Sequence, residues 1–325
     1  LSSYLMNVIP DQKPFVDGYF YTRIWAAPAT LGLYALLGWY FGMQNAKAPL
    51  LITIFINLVN IILSYYLVRT LGWGIKGVAL GTVIAQYLGL FLAMGIILNK
   101  YKQYLQLIPF RLLIARSKIK RFLTVNRDIF IRTVCLTFAF GFLYSQASIK
   151  GELFLAANVI LLQFLNWMSY AIDGFAYAAE SIVGKFHGAD DRINTKKAIK
   201  YLFMWGMGFA IGFSMLYWLA GDQLIRVFTD VQEVIIKTEE LMILVILLPI
   251  ISFACYIWDG IYIGLTASKA MRNAMIASII FYIVVYYGVE LINGSRNIWL
   301  AFILFMGVRG LVQTYLYLQK GLKLE

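Results

Sequence analysis

ELFLAANVILLQFLNWMSYAIDGFAYAAESIVGKFHGADD, residues 152–191, carries only two charges between Glu152 and Lys185, namely Asp173 and Glu180. An α-helix needs roughly 20 apolar residues to cross a bilayer. This run exceeds that, so its helix must tilt, kink or project from the membrane. A carboxylate inside a span costs several kcal/mol unless it is partnered, protonated or wet, so Asp173 and Glu180 need an explanation.

The rest of the chain resembles this stretch. It is 61% hydrophobic and 14% charged over 325 residues, with a mean hydropathy of +0.75, whereas soluble domains average about 25% charged residues. Spans are predicted at about 18–43, 48–68, 76–98, 124–148, 152–184, 197–221, 238–265, 273–293 and 297–319. The runs lack the period-2 alternation of barrel strands. The expected fold class is therefore an all-α polytopic membrane protein with about nine transmembrane helices.

The formal net charge of +12 does not point to nucleic acid, because the basic residues are sorted by side. The segments 44–49, 99–127, 185–200, 266–273 and 320–325 hold 18 of the 28 Lys and Arg, and the opposite segments hold 8. Arg132 and Arg309 lie further within spans. By the positive-inside rule the richer side is cytoplasmic, and the C-terminus with it. Cys135 and Cys255 both fall in spans and His187 is the lone histidine, so neither a disulfide framework nor a zinc site is expected.

GWYFGMQNAKA at 38–48 and GIYIGLTASKA at 260–270 match at Gly38/Gly260, Tyr40/Tyr262, Gly42/Gly264, Lys47/Lys269 and Ala48/Ala270. Each copy follows a proline, Pro28 or Pro249, and pairs a helix-bending site with a Gly-xxx-Gly packing face. A parallel duplication of a six-helix unit would give this chain three spans from the first copy onward, three between the copies and three from the second. Three further spans are then expected upstream of Leu1. The division expected is a half-lobe at 1–98, a cytoplasmic amphipathic linker at 99–123, a six-helix lobe at 124–320 and a tail at 321–325. In the linker, Tyr104, Leu107, Phe110, Leu113 and Ile114 recur at mostly helical spacing, which suits either an interfacial helix or a plain basic connection.

Asp173 and Glu180 are seven residues apart, nearly two helical turns, and so share a face with Ala176, Tyr177 and Gly184. Small residues there leave room for water or for a neighbouring backbone. Asp259 sits one turn beyond Cys255 on the helix bent by Pro249. Each of the three is either a coupling carboxylate or a structural one. Asp128 and Arg132 are one turn apart and are expected to neutralise one another. Arg309 reads as a helix-end anchor or as the partner of an unidentified carboxylate. Asn57, Asn60 and Ser64 form one polar stripe and Thr82 with Gln86 another, either hydrogen-bonded together or lining a wet cavity. Tyr170, Tyr177 and Trp258 are candidates for cation–π contact with a cationic substrate.

NVILLQFLNWMSYAIDGFAYAAESIVGKFHGADD, CYIWDGIYIGLTASKAMRNAM and INLVNIILSYYLV with GIKGVALGTVIAQY resemble the DinF-like branch of the multidrug and toxic compound extrusion (MATE) transporters. The resemblance covers about residues 18–320. It implies a two-lobe, twelve-helix fold of which the nine spans here are helices four to twelve. For the intact protein it implies export of cationic or amphipathic compounds by proton or sodium antiport, in the plasma (inner) membrane of a bacterium, by a monomer without cofactors and without nucleic acid. In the family, Asn60 and Thr82 match positions of the N-lobe proton network, while Ser64 falls where many members have aspartate. Sodium-coupled relatives carry the aspartate of the helix holding Asp259 one turn earlier, where Cys255 stands, which favours the proton here. Two rival expectations are a lipid-linked oligosaccharide flippase of the same superfamily, which tends to have an Arg-rich cavity, and a membrane-embedded aspartyl enzyme using Asp173 and Asp259, whose GxGD motif is absent at both.

The charge bias yields a direct test. Fluorescent protein fused after Glu325 is expected to fluoresce and alkaline phosphatase fused there to stay inactive; the reverse pattern would invert the topology.

Overall fold

A computed structural model describes residues 13–105, 116–293 and 297–321. These residues are helical, with no strand among them. Lys13–Arg23 (α1) runs through a 3-10 turn, Ile24–Ala26, into Ala27–Gly42 (α2), and Pro28 occupies the first turn of α2, where a missing N–H costs nothing. Lys47–Tyr65 (α3) ends in a π turn, Tyr66–Thr70, and Gly74–Lys100 (α4) follows. Arg116–Ile149 (α5), Glu152–Gly188 (α6), Arg192–Phe228 (α7), Gln232–Gly264 (α8), Ser268–Asn293 (α9) and Ile298–Lys320 (α10) complete the order. Nine membrane-crossing helices by length and apolarity lie among the described residues, α1 and α2 counting as one.

The helices form two compact units, Leu1–Pro109 and Phe110–Glu325. Of the linker expected over 99–123, residues 106–115, with Leu107, Phe110, Leu113 and Ile114, lie outside the described residues, while Lys102–Tyr104 forms a 3-10 turn and residues 116–123 belong to α5.

Without a hydrophobic force between helices in lipid, close approach and interhelical hydrogen bonds must hold each unit together. In the first unit α4 presents Gly77, Gly81, Ala85, Gly89 and Ala93, buried at every fourth position. A Cβ at Gly81 would stand 2.8 Å from Ser64 Oγ, and one at Gly89 would collide with Ile56, so α3 rests directly on this stripe. In the second unit the stretch that opened the sequence reading meets the second repeat copy. A Cβ at Gly260 would overlap the Ala176 carbonyl, and one at Gly264 would stand 2.9 Å from Glu180 O and 3.0 Å from Gly184 N. The small residues of α6 are therefore filled by the backbone of α8.

The two repeat copies end alike. Gln44 and Thr266, 222 positions apart, both take a left-handed conformation, with φ of 59° and 55°. Each closes the helix as a Schellman turn: Asn45 N donates to Tyr40 O at 3.0 Å and Ala267 N to Tyr262 O at 2.8 Å. The matched tyrosines also act alike, Tyr40 Oη donating to Ala93 O at 2.7 Å and Tyr262 Oη to Gln313 O at 2.6 Å, each tying its helix to the last one of its unit. The glycines differ: among the described residues nothing lies within 4 Å of a Cβ placed at Gly38 or Gly42.

This contrast predicts unequal stability effects. Gly260→Ala, driving a methyl into backbone, should cost more than the usual 1–3 kcal/mol of overpacking, while Gly38→Ala should stay within about 0.5 kcal/mol. Thr266→Gly relieves a β-branched residue from a left-handed turn and should add about 1 kcal/mol. Thermal unfolding in detergent checks all three.

Candidate functional site

A cavity of about 360 Å³ opens between α5, α6, α8 and α10. Its walls carry five acidic or basic side chains, Arg132, Asp173, Glu180, Asp259 and Arg309, with Tyr177, Tyr256, Asn166 and Ser169 among the other lining residues.

Asp259 organises the site. Its position next to Gly260 sets it at the crossing where α8 touches α6. On the other side, Gly307 and Gly310 of α10 bring that helix against Ile251 and Ala254 of α8, and Arg309 lies between them. Arg309 and Arg132 both donate to Asp259 Oδ2, and Gln313 Nε2 donates to Oδ1 at 2.8 Å. Side-chain exposure is 10% for Asp259, 3% for Arg309 and 18% for Arg132, so this is a buried ionic cluster whose most open member faces the cavity. Removing one partner of such a cluster typically costs about 3–5 kcal/mol, because it leaves an uncompensated charge in a low dielectric.

The local pair expected between Asp128 and Arg132 does not form. Asp128 is 2% exposed and is held instead by Arg272 at 2.5 Å and Arg127 at 3.3 Å, with Ser268 Oγ donating at 3.4 Å. Arg272 comes from the first turns of α9, so Asp128 ties α5 to α9 rather than neutralising its own helix neighbour. A one-turn surface pair gains only about 0.3–0.5 kcal/mol, too little to outweigh the need of buried Asp259 for cations. The unidentified partner of Arg309 is likewise Asp259. Gln313, one turn beyond Arg309, was the member of the cluster that sequence reasoning missed. Its signal was a polar residue at Arg309 + 4 on an otherwise apolar span.

Asp173 and Glu180 both line the cavity, as their shared face required. Neither makes a hydrogen bond or ion pair with another described side chain. Asp173 feels Asp259, Arg132 and Arg309 through space, whereas Glu180 lies two turns nearer the basic segment after Lys185. Tyr177 lines the cavity with them; Tyr170 is exposed elsewhere on the unit surface. Trp258 is buried against Phe203 and Tyr317 and donates to Thr314 Oγ1 at 2.7 Å, a packing position away from the cavity walls. Tyr256 Oη and Ser169 Oγ share a 2.7 Å hydrogen bond that joins α8 to α6 at the cavity.

The first unit gathers its own polar residues. Ser64 Oγ donates to Asn60 Oδ1 at 2.9 Å, and Thr82 Oγ1 lies 3.4 Å from the same oxygen. Thr30 Oγ1 donates to Gln86 Oε1 at 3.0 Å. The two stripes therefore bond across α3 and α4, and Gln86 bonds to α2 instead. Asn57 is exposed and stands apart from both.

Comparison with known proteins places this geometry. A family model described as MatE matches residues 129–287. The chain is 32% identical over 288 residues to "DNA damage-inducible protein F" of Escherichia coli (strain K12), covering 88% of this chain and 62% of that protein. It is 28% identical over 312 residues to "Protein DETOXIFICATION 43" of Arabidopsis thaliana, covering 94% and 58%. The chain thus spans about three fifths of the length of these curated relatives. Among solved structures, the Vibrio cholerae MATE transporter VcmN in its bent form superposes with a TM-score of 0.85 at 16% identity, over 99% of this chain and 73% of that one. The eukaryotic MATE transporter AtDTX14 superposes at 0.80 with 15% identity, over 92% and 68%.

The cluster predicts that the two aspartates of the cavity differ in structural cost. Asp259→Asn should destabilise the folded chain by about 3–5 kcal/mol, whereas Asp173→Asn should change stability by less than about 1 kcal/mol. Thermal unfolding of the two purified variants gives the comparison.

Proposed function

Because this chain belongs to the MATE family, whose members are transporters and not enzymes, we propose that it forms part of a secondary-active exporter of cationic or amphipathic small molecules, driven by proton antiport. It works in the plasma (inner) membrane of a bacterium, as a monomer with its C-terminus in the cytoplasm.

One observation carries the reading: among the described residues Asp173 makes no hydrogen bond or ion pair, and it lines the cavity beside an aspartate already paired with two guanidiniums. Protonating Asp259 would forfeit both ion pairs, so it serves as a fixed charge. Asp173 and Glu180 carry no such commitment. With both ionised, the cavity holds three anions against two cations and attracts a cationic substrate. With both protonated, the two arginines outweigh Asp259 and the cavity repels that substrate. The arginines thus let protonation invert the sign of the site, where a purely acidic cavity would only be neutralised. Proton and substrate cation then compete for one site, which is the differential interaction that antiport requires. Asp173, deeper in the cluster's field, carries the larger share, and Tyr177 offers a ring face to the cation.

Sodium is disfavoured because the oxygens of Asp259 are taken by three nitrogen donors. An anionic flippase substrate is disfavoured because, with Asp173 and Glu180 ionised, the cavity holds three anions against two cations.

In cells expressing the full-length protein, Asp173→Asn should lower proton-gradient-dependent efflux of a cationic dye by roughly tenfold or more. Glu180→Gln should have the smaller effect. Efflux that follows a sodium gradient instead, undiminished in Asp173→Asn, would contradict the reading.

A further inference from the structure

Beyond the cavity, a second concavity of about 450 Å³ lies between the paired ends of α6 and α7, lined by Phe175, Ala178, Ile182 and Phe186 from α6 and by Lys197, Ala198, Tyr201 and Trp205 from α7. It opens on the outer surface of the unit: Tyr201 and Trp205 are 55% and 63% exposed. Both helices run 37 residues, well beyond the roughly 20 that cross the hydrocarbon, so these ends reach the headgroup level. Tyr and Trp at that depth are the expected interfacial side chains.

The groove is apolar along its length and cationic at one end. Lys197 enters its wall, and neither Lys197 nor the neighbouring Lys196 and Lys200 makes an ion pair among the described residues. Lys185 turns over the Phe186 ring at 5.8 Å. The nearby acids are outnumbered, Asp190 and Asp191 standing against Lys185, Arg192, Lys196, Lys197 and Lys200. Asp191 caps α7, accepting from Asn194 N at 3.0 Å and Asn194 Nδ2 at 2.6 Å, and these bonds, with a smaller contribution from Lys197, hold its carboxyl below the usual carboxylate range. Asp190 faces Arg192 at 3.4 Å. The mouth of the groove therefore keeps a surplus of positive charge. Phe209 extends the apolar wall, its ring 4.9 Å from that of Phe175. Residues 197 to 209 of one helix cover about 18 Å, the scale of an acyl chain.

We propose that this groove is a binding site for an anionic phospholipid of the cytoplasmic leaflet, with the phosphate at Lys197 and one acyl chain lying along Ile182, Tyr201, Trp205 and Phe209. The charge selects the occupant: a cationic transport substrate would be repelled by the mouth, and a zwitterionic lipid would gain little from it. The basic segment 185–200 lies on the side that meets the anionic leaflet, where each lysine contributes about 1 kcal/mol of attraction. Such a lipid would brace α6, the helix that carries Asp173 and Glu180, against α7.

The test is native mass spectrometry of the full-length protein released from micelles containing equal amounts of phosphatidylglycerol and phosphatidylcholine. Phosphatidylglycerol adducts should predominate, should fall about fivefold in Lys197→Gln, and should fall further in Ala198→Trp, which fills the groove. Lys100→Gln, in the other unit, should leave them unchanged, and excess glycerol 3-phosphate should not displace them. Lys197 is exposed and its variant keeps the fold, so the test does not hang on the bulkier substitution. Equal retention of the two lipids, equal losses in Lys197→Gln and Lys100→Gln, or displacement by glycerol 3-phosphate would each overturn the proposal.

Discussion

Asp259 is held in low dielectric by Arg132, Arg309 and Gln313, and the second unit is arranged around that constraint. A carboxylate so placed cannot be left alone, nor can two guanidiniums. Three helices must therefore converge to within side-chain reach of one point. Gly307 and Gly310 make one of these approaches sterically possible by admitting α10 with Arg309 and Gln313, while Gly260 admits α6, which carries Asp173 and Glu180.

The fixed cluster also gives the remaining carboxylates their meaning. An acidic residue in an otherwise neutral cavity would be either silent or neutralised. Beside a cluster with two cations and one anion, two additional carboxylates together decide the sign of the whole site, which is neutral with one of them ionised and negative with both. On the proposed function this gives Asp173, which makes no hydrogen bond or ion pair among the described residues, a different role from Asp259, which has three partners. The first unit holds a neutral counterpart in Asn60, Ser64 and Thr82, a hydrogen-bonded set that carries no charge.

Sequence showed the spans because apolar run length is a local property, and it placed Asp173 and Glu180 on one helix face because helical spacing is local too. The repeat copies at 38–48 and 260–270 were visible as identities, and their shared left-handed turn at Gln44 and Thr266 was hidden only because neither residue is the glycine that usually marks it. The pairing of charges was not legible. Asp128 and Arg132 satisfied the one-turn rule, yet each found its partner far along the chain, Arg272 and Asp259, because burial rather than proximity in sequence decides which ion pairs a membrane helix bundle needs. Trp258 and Tyr177 looked equivalent as aromatic candidates, and only the rotation of α8 about its own axis turned the first into packing.

The central claim is that Asp173 exchanges protons with the substrate cation while Asp259 remains a fixed ion. Proton release on adding tetraphenylphosphonium to the purified full-length protein in weakly buffered solution tests it most directly. The account predicts release by the parent protein that is lost in Asp173→Asn while the substitution leaves the fold intact. Undiminished proton release from Asp173→Asn would contradict it.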